Sequence, residues 1–304
     1  MSTNESSPNS YDAQQVADYW SAPGAARDFG RAWTRAAVAV GAWVVSISLI
    51  LIVPLFMIIP YMVHVAVKVG TLDQATLASD KAVLFLSILG VIPAHLLTFA
   101  LIWLIVTYAG QVPFSKAIGL EWPKSIGPVW GVALCALMAL ALWAVGIVVT
   151  YYFGEHKTDL DLLVESSIQA RWATAFVAFF TAPIVEESLY RGLIYPSFER
   201  ALSPLVGRGL SMAFAIVGVS VLFAGVHVFQ YRNNLAVISV ITLLSVTLTL
   251  VRALSGKLMP CFVIHLVFNG IQSVLLIVTT KSDVPTPPPT PSLAIFSDLI
   301  RFLS

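Results

Sequence analysis

Long stretches without acidic or basic residues constrain the fold of this chain more than any other feature. Residues 36–67 and 82–115 contain no acidic or basic residue other than His64 and His95, and residues 125–154 contain none. A helix needs about 20 apolar residues to cross a bilayer, and each stretch is longer than that. The sequence therefore predicts transmembrane helices. Both histidines lie within apolar runs, so we interpret both as structural.

The composition supports the same interpretation. Hydrophobic residues make up 58% of the 304 residues and charged residues only 11%, with a mean hydropathy of +0.86. Soluble domains carry about 25% charged residues. The net charge of +1, without a basic tract, argues against nucleic-acid binding. Cys135 and Cys261 lie in apolar runs, and we interpret them as buried hydrophobic residues rather than a disulfide or metal site.

The pattern predicts an all-α, polytopic membrane helix bundle of about seven transmembrane helices, within a range of six to eight. Pro54 and Pro60 interrupt the first span, which we expect to be tilted or broken. The fourth span starts near Trp172 and must either take Glu186 into the bilayer or stop before it. Three further spans are expected at residues 209–230, 233–251 and 258–280. The predicted segments are a polar N-terminal segment (1–35), N-terminal transmembrane helices (36–171), a C-terminal membrane core (172–280) and a Pro-rich tail with a short amphipathic stretch (281–304).

The predicted topology has the N-terminus inside, because the predicted inner segments hold a modest excess of basic residues. With residues 192–208 as an inner connection, Glu186 and His265 lie roughly 10 Å from the inner surface at 1.5 Å per residue. His227 then lies much nearer the outer side. This mismatch in depth predicts a break in the fifth helix, a start outside the bilayer, or a different topology there.

Two adjacent glutamates, Glu186 and Glu187, follow an apolar segment. Adjacent side chains on a helix point about 100° apart, so the two carboxylates need not share a role. Glu187 and Arg191 have the i, i+4 spacing and the order that favour an intrahelical ion pair. Glu186 is then left to face a cavity, where a carboxylate can act as a general base. A structural Glu–Arg pair without chemistry is the alternative.

Two further polar positions follow in the same half of the chain. His227 ends a strongly apolar segment, four residues after Phe223. His265 and Asn269 have the i, i+4 spacing, so they share one helix face and can direct two polar groups at one point. Histidine and asparagine in membrane helices also form interhelical hydrogen bonds, so each signal alone is weak.

Taken together and in this order, the three constellations resemble the motifs of the CPBP family of intramembrane proteases, which includes the CAAX prenyl endopeptidases. They are Glu186-Glu187-x-x-x-Arg191, Phe223-x-x-x-His227 and His265-x-x-x-Asn269. The resemblance covers residues 172–280 and extends to Pro183 before the glutamates and to Gly192 after the arginine. Tyr190 departs mildly from the pattern, because phenylalanine is common at this position.

The resemblance implies an intramembrane endopeptidase acting on a membrane-associated protein or peptide, which is prenylated in some relatives. It implies that Glu186 and His227 activate the attacking water. It also implies that His265 and Asn269 stabilise the oxyanion or hold the water. The catalytic residues implied are Glu186, His227, His265 and Asn269, and the supporting residues are Glu187, Arg191 and Phe223.

A metal-dependent mechanism would use the same side chains. Glu186, His227 and His265 would form a set of ligands for Zn²⁺ or another divalent metal, with one position open for water. The chain has no His-Glu-x-x-His zinc motif, and the resemblance favours a glutamate-dependent reaction. We therefore expect no cofactor, with the metal as the alternative.

A non-proteolytic membrane protein is the alternative function. A bacteriocin immunity-type protein or a transporter would use the same residues as a polar core. Replacing Glu186 distinguishes these functions from a peptidase, because only a peptidase would lose all turnover. The expected partners are the lipid bilayer and a membrane-associated substrate, with no nucleic acid. The absence of targeting signals and the compact size favour the bacterial cytoplasmic membrane, with a eukaryotic endomembrane second.

Overall fold

The structure of the protein is a computed structural model. It describes residues 29–69, 80–154, 161, 164–165, 167–231 and 234–279. The predicted Pro-rich tail (281–304) lies outside these residues, as does most of the polar N-terminal segment (1–35). The predictions for these two segments are therefore not tested.

The described chain is built of α-helices interrupted by two π-helical segments. The α-helices are α1 (Phe29–Val69), α2 (Lys81–Val106), α3 (Phe114–Ile118), α4 (Pro128–Phe153), α5 (Ile168–Phe176), α6 (Ala182–Glu187), α7 (Tyr195–Gln230), α8 (Leu235–Ser255) and α9 (Met259–Thr279); the π-helical segments are π1 (Val177–Thr181) and π2 (Ser188–Ile194). Six helical stretches are long and apolar enough to cross a membrane, one of them the continuous stretch Ile168–Val228. The predicted all-α polytopic membrane bundle is confirmed.

Side-chain caps mark where several helices begin. Asp80, Ser167 and Asn234 each accept a hydrogen bond from a backbone N–H in the first turn of α2, α5 and α8 respectively. Helix α4 begins instead with Pro128, which has no N–H to leave unpaired. Local sequence therefore specifies where these helices begin.

Helices α1 and α2 pack against each other along their length. Pro54 and Pro60 both lie inside α1, which is nevertheless one helical element, so of the two forms expected, tilted or broken, the break does not occur. Gly90 of α2 packs directly on Pro54, and a Cβ at position 90 would lie 2.6 Å from the Pro54 Cα. A small residue is thus required for the backbones to approach this closely, as is common between membrane helices.

Helix α7 reverses direction at Gly207, so that its second arm packs against its first arm and π2. This residue has φ +77° and ψ +164°, a conformation that essentially only glycine adopts. Matching contacts on both arms establish an antiparallel hairpin. A Cβ at Gly218 would lie 3.4 Å from the Phe198 ring, and the rings of Tyr190 and Phe223 have centroids 5.0 Å apart.

This hairpin corrects the predicted depth of His227. Residues 192–208 are not an inner connection, because they continue π2 and the first arm of α7. Glu186 and His227 each lie about 20 residues from Gly207, or roughly 30 Å along their arms. The two residues therefore lie at a similar level of the bundle, and no break in the second arm is needed.

The bundle interior is centred on the segment from π1 to π2, which contacts α1, α2, α8 and α9. Large apolar side chains such as Phe56, Trp130 and Tyr151 are instead more than 70% exposed on the outer faces. Exposed apolar surface of this extent is typical of helices that face lipid. Any polar group in the interior is thereby shielded from water and depends on internal partners.

Candidate active site

The paired glutamates lie on the short helix α6, between π1 and π2. In a π-helix each hydrogen bond spans one residue more than in an α-helix, and such segments are frequent at functional sites. Helix α9 supplies partners for carbonyl groups just before α6. Asn269 Nδ2 donates to the Ala178 carbonyl at 2.9 Å, and Ser273 Oγ donates to the Ala175 carbonyl at 3.3 Å. These bonds hold the segment that carries the glutamates against α9.

Glu187 and Arg191 form the predicted ion pair. The Arg191 Nη1 to Glu187 Oε1 distance is 2.9 Å, and the two side chains are 0% and 1% exposed. A pair buried this completely is stable only when further hydrogen bonds satisfy both groups. The prediction of the pair from its spacing is confirmed.

Helix α8 supplies the remaining partners of Arg191. The guanidinium donates to Ser245 Oγ at 2.8 Å, to the Ser245 carbonyl at 3.0 Å and to Thr249 Oγ1 at 3.2 Å. Its Cζ also lies 4.8 Å from the centroid of the Phe223 ring. Sequence reasoning missed Ser245 and Thr249, although their i, i+4 spacing within an apolar helix was a usable signal.

His265 lies between the two glutamates. Its Nδ1 is 2.8 Å from Glu187 Oε1, and its Nε2 is 3.7 Å from Glu186 Oε2. Because the ion pair with Arg191 keeps Glu187 as a carboxylate, Nδ1 is the donor in the first contact. The second contact is longer than a hydrogen bond. A chain of charged and polar groups thus runs from Arg191 through Glu187 and His265 to Glu186.

The two carboxylates differ in their surroundings. Glu187 is buried and paired, whereas the Glu186 side chain is 22% exposed and forms no hydrogen bond within the described residues. Glu187 Oε2 also lacks a hydrogen-bond partner among the residues that the structure describes, but it is fully buried. Of the two, only Glu186 is accessible to a water molecule or a substrate.

His227 joins this group through Phe223. Its Nδ1 lies 2.9 Å from the Phe223 carbonyl, which can only accept, so Nδ1 is the donor. The two rings lie against each other with centroids 4.9 Å apart, and the Phe223 ring meets His265 edge-on at 6.2 Å. In the described part of the chain no hydrogen bond or ion pair links His227 to Glu186.

The structure therefore brings the residues singled out by sequence into one region, some in direct contact and others only through a neighbour. Glu186, Glu187, Arg191 and His265 form a continuous chain of contacts. His227 reaches this chain through the ring of Phe223. Asn269 donates to the Ala178 carbonyl, whereas His265 contacts Glu187.

Two aromatic or imidazole contacts from the N-terminal helices were missed by sequence reasoning. Trp43 of α1 donates its Nε1–H to Tyr190 Oη at 3.0 Å. His95 of α2 is 5% exposed, and its Nδ1 lies 2.8 Å from Thr181 Oγ1 at the end of π1. Because each partner lies on a distant helix, no spacing within the sequence signals either contact.

The histidines near the glutamates share one feature with metal ligands but do not converge as a metal site would. The three histidines near the glutamates each direct Nδ1 to an oxygen, which is common among metal ligands. A metal site further needs three or more donor side chains to converge. Within the described residues no three His, Cys, Asp or Glu side chains do so. Glu186, His227 and His265 therefore do not fit a metal in this arrangement.

A comparison with known families finds a match in the same region of the chain. Residues 168–271 match the family model described as Type II CAAX prenyl endopeptidase Rce1-like. The match contains all three constellations and confirms the resemblance to the CPBP family over these residues. No curated protein and no solved structure matches the chain.

Proposed function

We propose, from the match of residues 168–271 to the CAAX prenyl endopeptidase family, that this protein is an intramembrane endopeptidase in which Glu186 activates water. The observation that carries the proposal is the contrast between the adjacent glutamates. Glu187 is paired with Arg191 and His265, whereas Glu186 has an accessible carboxylate beside the His265 ring. A general base needs this combination of access and an ordered neighbour.

In the proposed reaction Glu186 removes a proton from water while the water oxygen attacks the carbonyl carbon of the scissile peptide bond. His227, with Nδ1 tied to its own helix, presents Nε2 as an acceptor for the same water. The negative charge then develops on the carbonyl oxygen. When the C–N bond breaks, the proton held by Glu186 passes to the leaving amine, which restores the carboxylate.

Two donors are available for the oxyanion. Asn269 Nδ2 uses one of its two hydrogens on the Ala178 carbonyl and keeps the other. His265 donates from Nε2 when it carries a second proton, and Glu187 fixes its ring in place through Nδ1. Losing one oxyanion donor typically costs roughly 3 kcal/mol of barrier height.

The proposed mechanism uses no metal. What supports this form is that the described donor side chains do not converge as metal ligands would. The oxygens that accept from Nδ1 of His227 and His265 can orient these imidazoles for a hydrogen bond to water as well as for a metal. No step of the mechanism is therefore assigned to a metal.

The proposed substrate is the C-terminal region of a membrane-associated protein, with a prenylated cysteine as the first form to test. The outer faces of the bundle are apolar, so a lipid-anchored chain can reach the protein within the membrane plane. We propose the bacterial cytoplasmic membrane as the location. The six apolar stretches establish a multi-pass membrane protein and are compatible with that membrane.

The test is hydrolysis of a quenched, prenylated CAAX-type peptide by the purified protein. Glu186→Gln is expected to lower turnover by about 100-fold or more, because a positioned general base contributes at least that much. His227→Ala is expected to lower it as well, and neither effect should depend on a chelator. Glu121→Gln is the matched control, because Glu121 lies in a loop and pairs with Lys257.

Each contrary result has a definite meaning. Wild-type turnover in Glu186→Gln would contradict the proposed base. Loss of activity on chelation that zinc restores would move Glu186 and the histidines into a metal site. A folded wild-type protein that cleaves no such peptide would favour the immunity-type or transporter function.

A further inference from the structure

A hydrogen bond joins the first helix of the bundle to the proposed site. Helix α1 lies outside residues 168–271, yet it packs against π2 and α7. At this contact the indole Nε1–H of Trp43 donates to Tyr190 Oη at 3.0 Å. Tyr190 is 6% exposed, so its hydroxyl group depends on a partner within the bundle. Trp43 supplies that partner.

This hydrogen bond fixes the ring of Tyr190 at its far end. An indole has one N–H and no acceptor, so the Tyr190 oxygen is the acceptor. The ring is therefore held twice, by the π2 backbone at Cβ and by Trp43 at Oη. A ring without the hydroxyl group would be held at Cβ alone.

The Tyr190 ring passes this restraint on to Phe223. The two rings meet edge to face, with centroids 5.0 Å apart and an interplanar angle of 75°. Phe223 is buried, and its other side lies against the imidazole of His227, with centroids 4.9 Å apart. Because a bundle interior is close-packed, a ring that moves displaces its neighbours. The contacts thus run without a gap from α1 through π2 to the second arm of α7.

The orientation of His227 depends on Phe223 in two ways. Its Nδ1 donates to the Phe223 carbonyl at 2.9 Å, and its ring face rests on the Phe223 ring. The rest of the half-buried side chain lies at the edge of the bundle interior. The position of the Phe223 ring therefore sets the direction in which the Nε2 atom of His227 points.

We propose that Trp43 is a positioning residue of the peptidase site. Its hydrogen bond to Tyr190 holds the Phe223 ring, and this ring holds the imidazole of His227. Trp43 itself contacts neither the water nor the substrate. The inference rests on the proposed peptidase function, in which His227 Nε2 accepts from the attacking water. It gives α1, which carries none of the three motifs, a part in the reaction.

Three variants test the hydrogen bond: Trp43→Phe, Tyr190→Phe and the double variant. Each of them lacks the bond, so we expect kcat to fall by about 10-fold in all three, less than the roughly 100-fold that misplacing a reacting group can cost. KM should change little, because His227 acts on the water.

The double variant separates positioning from stability. Trp43→Phe leaves the buried Tyr190 hydroxyl unpaired, which lowers Tm in detergent. Adding Tyr190→Phe removes that hydroxyl, so Tm should rise again while kcat stays low. If kcat rises together with Tm, activity follows stability alone and the proposal is overturned.

A second test asks whether Trp43 acts through His227. In the His227→Ala background there is no imidazole to hold, so Trp43→Phe should cause no further loss of kcat. An equal loss in both backgrounds would contradict the proposed route. Trp130→Phe and Tyr151→Phe are the matched controls, because both side chains are exposed on the outer faces, and both variants should match the wild type.

Failure of the peptidase function has a different signature. In that case Glu186→Gln would turn over peptide like the wild type, or the wild type would cleave none. Failure of the positioning role alone leaves Glu186→Gln inactive and Trp43→Phe at the wild-type kcat.

A stability measurement tests the same contacts without any substrate. The Tm shift of the double variant Trp43→Phe, His227→Ala should differ from the sum of the two single shifts, because groups in one contact network couple. Additive shifts would show that the restraint from Trp43 does not reach His227, and would overturn the proposal.

Discussion

At the scale of single residues, Arg191 is buried with no exposed surface because partners on α6 and α8 surround its guanidinium group. The Glu187 carboxylate balances the charge, while Thr249 of α8 accepts a hydrogen bond from Nε and Ser245 accepts two from Nη2. The same Glu187 oxygen also accepts from His265. The orientation of the site imidazole is thus linked to the burial of one arginine.

We predict that Glu187→Gln lowers the free energy of unfolding by about 3 kcal/mol, because it leaves a buried arginine without its counter-charge. Activity should fall as well, since the neutral amide oxygen of glutamine is a weaker acceptor for the His265 Nδ1–H than the carboxylate. Thermal or denaturant unfolding in detergent measures the first effect, and peptide hydrolysis measures the second.

Glu121→Gln is the matched control for this substitution, because it removes a carboxylate from a pair that is 26% and 52% exposed. It should cost no more than about 1 kcal/mol. Equal destabilisation by the two variants would contradict the role assigned to the buried pair.

At the scale of elements, the hairpin of α7 decides which residues meet. Its corner at Gly207 sets the register of the two arms, and this register places Phe223 on Tyr190 and beside Arg191. His227 follows one turn later on the same arm. A shift of the corner by one residue would rotate the second arm by about 100° and turn both side chains away from the site.

We predict that Gly207→Ala destabilises the protein by about 1–3 kcal/mol, because a Cβ is strained at φ +77°. The expected result is a lower Tm in detergent together with weaker hydrolysis, since the register of the hairpin is loosened.

Gly209→Ala is the control two residues away. Position 209 is helical, and a Cβ there meets nothing within 4 Å. Alanine should therefore be neutral or stabilising by about 0.5–1 kcal/mol. If Gly207→Ala proved as well tolerated as Gly209→Ala, the corner would not depend on the positive φ.

At the scale of the whole molecule, two connections far apart in sequence are joined at one end of the bundle. The Leu258 N–H donates to the Gly119 carbonyl at 2.8 Å, and Lys257 Nζ lies 2.7 Å from Glu121 Oε2. These contacts link the loop after α3 to the turn that starts α9, the helix that carries His265. The hydrogen bond from Lys257, with its positive charge, lowers the pKa of Glu121 below the ordinary value for glutamate.

This lowered pKa predicts a pH-dependent contribution to stability. Because the carboxyl group binds its proton less readily in the folded state, the contribution is complete above the ordinary glutamate pKa of about 4.3 and is lost as the pH falls through the lowered value. The free energy of unfolding of Glu121→Gln should therefore be lower than that of the wild type at pH 7, by at most about 1 kcal/mol. At pH values below the lowered pKa the two proteins should be equally stable. Added salt should shrink the difference at pH 7. A difference that persists at acidic pH would show that the ion pair is not its cause.

Relations within one helix could be predicted from the sequence. The Glu187–Arg191 pair followed from its i, i+4 spacing, and the three constellations indicated the family that residues 168–271 match. The membrane bundle followed from the length of the apolar stretches. These inferences succeed because the helical repeat of 3.6 residues and the thickness of a bilayer are fixed quantities.

Relations between helices were decided only by the tertiary structure. The sequence did not indicate that Ser245 and Thr249 surround Arg191, that His95 meets Thr181, or that Glu187 contacts His265. In a soluble protein the apolar face of each helix would have marked its inward side. Lipid is as apolar as the bundle interior, so hydrophobicity does not distinguish the two faces of these helices, and only packing determines which residues meet.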